Sequence, residues 1–192
     1  MGVPKLIIIA GCAGAGKTTL GKELSKRVNF TFIDKDTVAE DFVDYILESR
    51  GLGGSRECEL YTKELKSLEY KICFELCKEN LSLGNSVIAV APLISEIKSY
   101  DKWEELKSKV GLGKIDFDCK FIWIKHDEGQ EYHNILKRGY ERDKYKIDNW
   151  EEYTESIKGI EPDSRYNAFE FDSYIWSCEE DYIEDIIKYI TL

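Results

Sequence analysis

The sequence predicts an α/β fold: a five-stranded parallel sheet covered by helices on both faces, forming a three-layer sandwich. Short apolar runs alternate with segments whose apolar residues recur every three or four positions. Strands that alternate with helices form parallel sheets, which are buried on both faces. The 192 residues, 43% of them hydrophobic, suit a single domain over 1–192. The predicted strands are 5–10, 28–36, 85–91, 118–124 and 167–172.

A glycine-rich segment, residues 11–18, joins the first strand to the first helix and is called the phosphate loop below. Its sequence, Gly-Cys-Ala-Gly-Ala-Gly-Lys-Thr, matches the Walker A pattern in its strand–loop–helix context. The glycines let backbone N–H groups turn toward a triphosphate, and the helix N-terminus adds its dipole. Lys17 supplies charge for the β- and γ-phosphates of ATP, and the Thr18 hydroxyl is a ligand for Mg²⁺. The predicted nucleotide-binding residues here are Gly11, Cys12, Ala13, Gly14, Ala15, Gly16, Lys17, Thr18 and Thr19.

Two carboxylates, Asp34 and Asp36, end the second predicted strand. Ligands of parallel sheets bind outside the carboxyl ends of the strands, and the phosphate loop leaves the first strand at that edge. Phosphoryl transfer needs one carboxylate beside Mg²⁺ and another beside the attacking hydroxyl, so we expect the pair to face the γ-phosphate. Asp36 also precedes Thr37-Val-Ala-Glu40, a typical helix start, and is therefore a candidate N-cap as well.

Two helices are predicted between the second and third strands, separated by a Gly-rich loop at 51–55. The first covers 37–50, with Val38, Phe42, Tyr45 and Ile46 facing inward. The second covers 56–81, and its predicted core positions are Leu60, Tyr61, Leu65, Leu68, Ile72 and Leu76. Three of its polar residues, Arg56, Glu69 and Tyr70, are individually expected at the surface.

The third strand ends at Ala91-Pro92 without an acidic residue. A Walker B aspartate is therefore missing from this strand, which favours Asp34 as the metal-side carboxylate and argues against a motor-type ATPase or GTPase. A charged helix around Trp103 follows, and after the fourth strand comes His126, interpreted either as a substrate contact or as a structural residue. Helices at 150–157 and 179–190 complete the predicted elements.

The segments Gly11–Lys17, Thr18–Gly21 and Phe32–Asp36 resemble the opening of shikimate kinase. That family belongs to the small P-loop kinases, with gluconate kinase, chloramphenicol phosphotransferase and the zeta toxins. The resemblance to shikimate kinase implies that Asp34 lies near the metal and that Asp36 binds the hydroxyls of the acceptor. The chloramphenicol phosphotransferase and zeta pattern instead implies a general base at this strand end. Asp36 is the first choice for the general base, and Asp34 remains the alternative.

The pattern Leu-x-Arg-x-x-x-Arg-Asp at 136–143 resembles the lid of these kinases, placed at about 127–150. The resemblance implies that Arg142 stabilises the transferring group and that Arg138 holds ATP. A planar guanidinium suits the charge that develops on phosphoryl oxygens. The alternative is a solvated helix whose arginines pair with Glu141 and Asp143.

These features predict a Mg²⁺-dependent enzyme that transfers the γ-phosphate of ATP to a small hydroxyl-bearing substrate. The alternatives are a nucleoside, nucleotide or polynucleotide 5′-hydroxyl kinase, and a nucleotide-binding switch protein without catalysis. A net charge of −10 argues against a polynucleotide partner. Six cysteines without a Cys-x-x-Cys pair, and no long apolar run, favour a cytoplasmic protein with reduced thiols and no membrane contact. We expect a monomer or a homodimer.

Overall fold

The computed structural model describes residues 2–53, 55–172 and 180–192. Its sheet has five parallel strands in the order β2-β3-β1-β4-β5. The strands are β1 (Lys5–Gly11), β2 (Thr31–Asp34), β3 (Val87–Val90), β4 (Asp118–Ile124) and β5 (Phe169–Phe171). The predicted five-stranded parallel sheet is therefore confirmed.

The helices follow the strands in alternation. They are α1 (Lys17–Val28), α2 (Lys35–Ser49), α3 (Lys66–Ser82), α4 (Ile94–Ile97), α5 (Tyr100–Val110), α6 (Glu128–Arg138), α7 (Lys144–Asp148), α8 (Trp150–Ile157) and α9 (Glu180–Thr191). A π-helical turn at Tyr61–Leu65 leads into α3, so the helix predicted from residue 56 begins later. Of the predicted closing helix, residue 179 lies outside the described residues.

The central strand β1 is covered on both faces, which explains why its sequence is apolar without alternation. Leu6 and Ile8 belong to the core layer that contains α3 and α5, where Phe74 packs edge-on against Trp103. Ile7 belongs to the opposite layer, which contains the apolar faces of α1 and α9. These two layers of helices on one sheet confirm the predicted sandwich.

The predicted inner face of α2 is wrong for two of its four residues: Val38 and Ile46 pack against core residues, but Phe42 and Tyr45 do not. Phe42 and Tyr45 are each 73% exposed, whereas Ala39, Val43 and Leu47 are buried. Helical periodicity does not choose between two adjacent apolar stripes, and the packing partner decides which one is covered. The buried stripe includes the small Ala39, which permits a close approach.

The same error occurs in α3, whose Leu68 and Ile72 are exposed. This helix instead buries Tyr70, Cys73, Phe74, Cys77 and Leu81, together with the charged Glu69. The expected surface positions of Glu69 and Tyr70 are therefore wrong, as is that of Arg56, which is also buried. A carboxylate reaches the interior only when it has partners, and those partners come from another element.

Among the helices of the described ranges, none combines the length and the apolarity that a bilayer-spanning segment requires.

Gly21 sets how closely α1 approaches the sheet. A Cβ at this position would lie 2.8 Å from Phe32 Cε2 and 2.8 Å from Val90 Cγ2. We expect Gly21→Ala to lower the free energy of unfolding by about 1–3 kcal/mol, because overpacking outweighs the gain in helix propensity. Urea denaturation measures the change. Gly113→Ala is the matched control, since a Cβ there meets nothing within 4 Å. Equal stability of the two variants would contradict this packing account.

Candidate active site

The phosphate loop packs closely against α6 and is crossed by Lys17. Gly14 has φ +81°, and a Cβ on it would lie 2.6 Å from the carbonyl oxygen of Glu131. Lys17 Nζ donates to the carbonyl oxygen of Cys12 at 2.6 Å, which folds the lysine over the loop. The cap residue of α1 is Gly16, and no side chain among the described residues caps this helix end. The N-terminal N–H groups of α1 are therefore suited to bind an anion.

Two predicted loop residues serve the structure of the loop. The Ala13 N–H donates to Tyr153 Oη at 3.0 Å, so this amide is bound by α8 and not directed at a ligand. The Cys12 side chain is buried, and burial raises the pKa of its thiol to about 12. Cys12 therefore remains a neutral thiol. Sequence reasoning did not find Tyr153, because nothing in the local pattern of α8 marks a contact with a loop so far away in the chain.

Asp34 connects the phosphate loop to β2. Its Oδ2 accepts a hydrogen bond from Thr18 Oγ1 at 2.6 Å, and its Oδ1 accepts one from the Asp36 N–H at 2.9 Å. The second bond makes Asp34 the N-cap of α2, whose first residue is Lys35. The predictions that Asp36 ends the strand and caps the helix are therefore wrong. Asp36 lies in the first turn of α2, because the chain turns into the helix directly at Asp34.

Thr18 and Asp34 present the oxygen ligands that Mg²⁺ prefers. Their side-chain oxygens are 2.6 Å apart and both residues line the cleft beside Lys17. A hydroxyl and a carboxylate at the mouth of a phosphate-binding loop suit a hydrated Mg²⁺ bound partly by substrate phosphates. This donor set fits the predicted metal.

Asp36 is held between two cations. Its carboxylate lies 2.9 Å from Lys35 Nζ and 3.0 Å from Arg142 Nη2. Burial by itself raises the pKa of Asp36, but Lys35 and Arg142 outweigh burial and hold that pKa at about 2. Asp36 is therefore ionised at neutral pH and is a strong hydrogen-bond acceptor but a weak base.

Lys35 belongs to a buried polar network that the sequence did not reveal. Its ammonium also lies 2.7 Å from Glu69 Oε2, which in turn accepts a hydrogen bond from Tyr61 Oη at 2.8 Å. Burial lowers the pKa of Lys35, yet Asp36 and Glu69 raise it further than burial lowers it. Lys35 is therefore charged and fixed. The only local signal was its position between two aspartates.

The predicted lid arginines have different partners. Arg138 makes a bidentate pair with the buried Asp143, with Nε–Oδ2 at 2.6 Å and Nη2–Oδ1 at 2.8 Å. Arg142 reaches α2, where it contacts Asp36 and lies 2.9 Å from Glu40 Oε1. Both guanidinium groups lie over the ring of Tyr140, at 5.5 and 5.0 Å. The Arg138–Asp143 pair is one of the charge pairs that the solvated-helix alternative predicted. Both arginines nevertheless line the cleft.

Helix α6 packs directly on the phosphate loop. Asn134 Nδ2 donates to the Gly14 carbonyl oxygen at 2.8 Å, and the Glu131 backbone lies against Gly14 as well. Glu131 is 1% exposed, and its Oε2 is 2.6 Å from His126 Nδ1. Its Oε1 has no hydrogen-bond partner among the described residues. His126 is thus paired with Glu131, and neither residue lines the cleft. Sequence reasoning missed Glu131.

Burial raises the pKa of Glu131 from an ordinary 4.5 to about 7, although His126 and Lys17 lower it. Between these values the folded protein keeps a proton that the unfolded chain loses, so the free energy of unfolding decreases as pH rises. Glu131→Gln cannot titrate but keeps the side-chain volume. We expect its stability to depend less on pH, by about 2 kcal/mol between pH 5 and 7.

Urea denaturation across this pH range, on wild type, Glu131→Gln and Glu128→Gln, measures the effect. Glu128 is exposed on the same helix, so its variant is expected to keep the wild-type pH dependence. Parallel curves for wild type and Glu131→Gln would show that this carboxylate does not titrate in the window.

A single cleft of about 660 Å³ brings these elements together. Its walls include the phosphate loop with α1, the ends of β2 and β3, and the segment from α6 to Arg142. The predicted site residues that line it are Gly14, Ala15, Gly16, Lys17, Thr18, Thr19, Asp34, Asp36, Arg138 and Arg142. Gly11, Cys12 and Ala13 are outside this lining set.

Residues 6–160 match the family model of an AAA domain. The chain belongs to this AAA-domain family. It is 42% identical over 57 residues to a shikimate kinase of Bacteroides thetaiotaomicron. The aligned region covers 28% of this chain and 33% of the relative. It is 50% identical over 38 residues to the pentafunctional AROM polypeptide of Schizosaccharomyces pombe, covering 20% of the chain and 2% of that polypeptide. The chain thus spans a third or less of the length of these relatives.

Solved structures share the fold of this AAA-domain protein over nearly its whole length. A shikimate kinase from Bacteroides thetaiotaomicron has a TM-score of 0.55 at 19% identity, with 97% of this chain and 98% of the other covered. A sugar kinase from Janibacter sp. has a TM-score of 0.60 at 13% identity, with 98% and 94% covered. A gluconokinase from Sinorhizobium meliloti has a TM-score of 0.52 at 13% identity, with 98% and 90% covered. The predicted resemblance to these kinases is confirmed for the fold.

Proposed function

We propose that this protein is a phosphotransferase that moves the γ-phosphate of ATP, with Mg²⁺, to a hydroxyl group of a small molecule. The observation that carries the proposal is the single cleft lined both by the phosphate loop and by Asp34, Asp36 and Arg142. A loop that binds phosphate needs only the first half of this cleft. Transfer to an acceptor also requires a carboxylate beside the metal, for which Asp34 next to Thr18 is suited, and charged groups toward the acceptor, for which Asp36 and Arg142 are suited. The named kinases among the similar proteins agree with this chemistry.

The phosphate loop would bind the triphosphate through its amides and Lys17, and Thr18 and Asp34 would hold Mg²⁺. The metal ion supplies charge that neutralises the phosphate oxygens during transfer. Burial lowers the pKa of Lys17, while Asp36 and Cys12 raise it. The lowering by burial is the larger effect, so the pKa of Lys17 is below its ordinary value. Lys17 and Asp36 both line the cleft.

We propose that Asp36 orients the acceptor hydroxyl and contributes little as a base. With a pKa of about 2, it accepts a hydrogen bond well but takes up a proton poorly. Phosphoryl transfer passes through a largely dissociative transition state, which demands little help from a base. The pairing of Asp36 with Lys35 and Arg142 therefore favours the orienting role among the alternatives that the sequence left open.

We propose that segment 127–150 acts as a lid on a single kinase domain. Its first helix contacts the phosphate loop through Asn134, and Arg142 near its end contacts Asp36. The segment therefore bridges the donor and acceptor walls of the cleft. A side chain placed between the two walls is suited to stabilise charge on the group in transfer.

ADP formation from ATP, measured with and without added alcohols and with and without Mg²⁺, tests the proposal. The acceptor set contains sugars, polyols, nucleosides and RNA with a free 5′-hydroxyl. Stimulation by sugars or polyols is the expected result, with the phosphorylated product identified by mass spectrometry. Stimulation by nucleosides or RNA alone would favour the rival kinases. ATP binding with slow hydrolysis that no alcohol accelerates would identify a switch protein and overturn the proposal.

A further inference from the structure

The cleft has two electrostatically different walls. Beside the phosphate loop the lining includes the cations Lys17, Lys22 and Lys137, together with Asp34, which is hydrogen-bonded to Thr18. On the wall formed by α2, both signs occur: the cations are Lys35 and Arg142, and the carboxylates are Asp36 and Glu40. The first wall suits the triphosphate, so the acceptor faces the second.

Both cations of the acceptor wall are already paired twice. Lys35 Nζ lies 2.9 Å from Asp36 and 2.7 Å from Glu69. Arg142 lies 3.0 Å from Asp36 and 2.9 Å from Glu40. Three carboxylates therefore surround two cations: Asp36 and Glu40 line the cleft, and Glu69 is buried behind Lys35. This group of five side chains carries one more negative than positive charge. Arg56, the next cation along, lies 2.6 Å from Asp44 and is balanced as well.

An acidic acceptor would have to separate one of these pairs. The released carboxylate would then remain, unpaired and partly desolvated, close to the incoming acid, which is costly for both charges. If Arg142 turns toward the phosphoryl group during transfer, Glu40 loses this cation, Asp36 keeps only Lys35, and the wall becomes more negative. Lys35 cannot compensate, because the buried Glu69 holds it.

We infer that the acceptor carries no acidic group and is a neutral polyol or an amino alcohol. This inference rests on the proposed function and names its substrate class. Hydroxyl groups can donate to Asp36 and Glu40 without displacing their cations, and an ammonium group gains from the surplus carboxylate. The carboxylates that select the charge of the acceptor therefore belong to α2 and α3, and the phosphate loop does not contribute to this selection.

Acceptors that share a skeleton and differ only in charge test the inference. One set is gluconate, glucitol and glucamine, which present an acid, a neutral alcohol and an amine on the same six-carbon chain. A second is shikimate and its methyl ester. For any skeleton that is phosphorylated, we expect kcat/KM for the neutral or amine member to exceed that for the acid by about tenfold or more, the effect of one unfavourable charge contact in a cleft.

Glu40→Gln links the selectivity to this wall, because it removes one carboxylate and keeps the side-chain size. We expect the ratio of kcat/KM for acid to neutral acceptor to rise by about 3- to 10-fold. Glu48→Gln is the matched control. It lies two turns further along α2 on the exposed surface and is expected to leave the ratio unchanged.

A preference of the wild type for the acids, or an unchanged ratio in Glu40→Gln, would overturn the inference while the proposed function stands. If none of the alcohols raises ADP formation above the rate with water, the proposed function fails, and the inference fails with it.

Discussion

Lys17→Met is expected to reduce phosphoryl transfer by about 10²–10³-fold or more, because it removes a preorganised positive charge from the site where phosphate charge develops. The fold should survive. In the described structure Lys17 Nζ donates to one backbone carbonyl, that of Cys12, and methionine retains most of the aliphatic side chain. Steady-state ADP formation measures the loss, and thermal unfolding checks the fold.

Lys26→Met is the matched control for this variant. Lys26 lies on the same helix, and its side chain is exposed away from the cleft. The control removes the same charge, so it separates the local role of Lys17 from the effect of net charge. Near-normal turnover of Lys17→Met would contradict the assignment of the loop as the phosphate site, and with it the proposed function.

Asp36→Asn is expected to lower the rate of transfer by about 10²-fold, at the lower end of the range for a general base, because an amide neither attracts the hydroxyl proton nor balances Arg142. Binding of ATP and Mg²⁺ should change little. The fold should survive as well, since Lys35 keeps Glu69 as a partner and the cap of α2 is Asp34. Single-turnover rates across a Mg²⁺ series measure the effect.

The variant Asp34→Asn distinguishes the role of Asp34 from that of Asp36. It removes a charge next to Thr18 Oγ1, so its activity should fall and then recover in part at high Mg²⁺. Asparagine is also a good N-cap, so α2 should still begin at Lys35. Asp41→Asn, on the exposed face of α2, is the control. Metal rescue of Asp36→Asn in place of Asp34→Asn would show that the two roles are reversed.

The sequence by itself determined the sheet and its functional edge. A short, β-branched apolar run such as Leu6–Ala10, ended by a glycine-rich loop, favours a central strand, because a strand with both faces covered has no polar side. The phosphate loop requires a particular set of residues in consecutive positions, so its pattern is legible without any contact information. Asp34 was placed correctly beside Thr18, since parallel strands direct their carboxyl ends to one edge.

The tertiary structure alone decided how the acceptor wall is charged and which helix stripes are buried. The partners Lys35 and Glu69 are separated by 34 residues, and Arg142 comes from a segment beyond β4 to meet Asp36. Such pairs depend on which strand and helix lie side by side, and residue spacing does not record that. Ala39 and Val43 were covered instead of Phe42 for the same reason: a helix has several apolar stripes, and the surface that packs against it selects one.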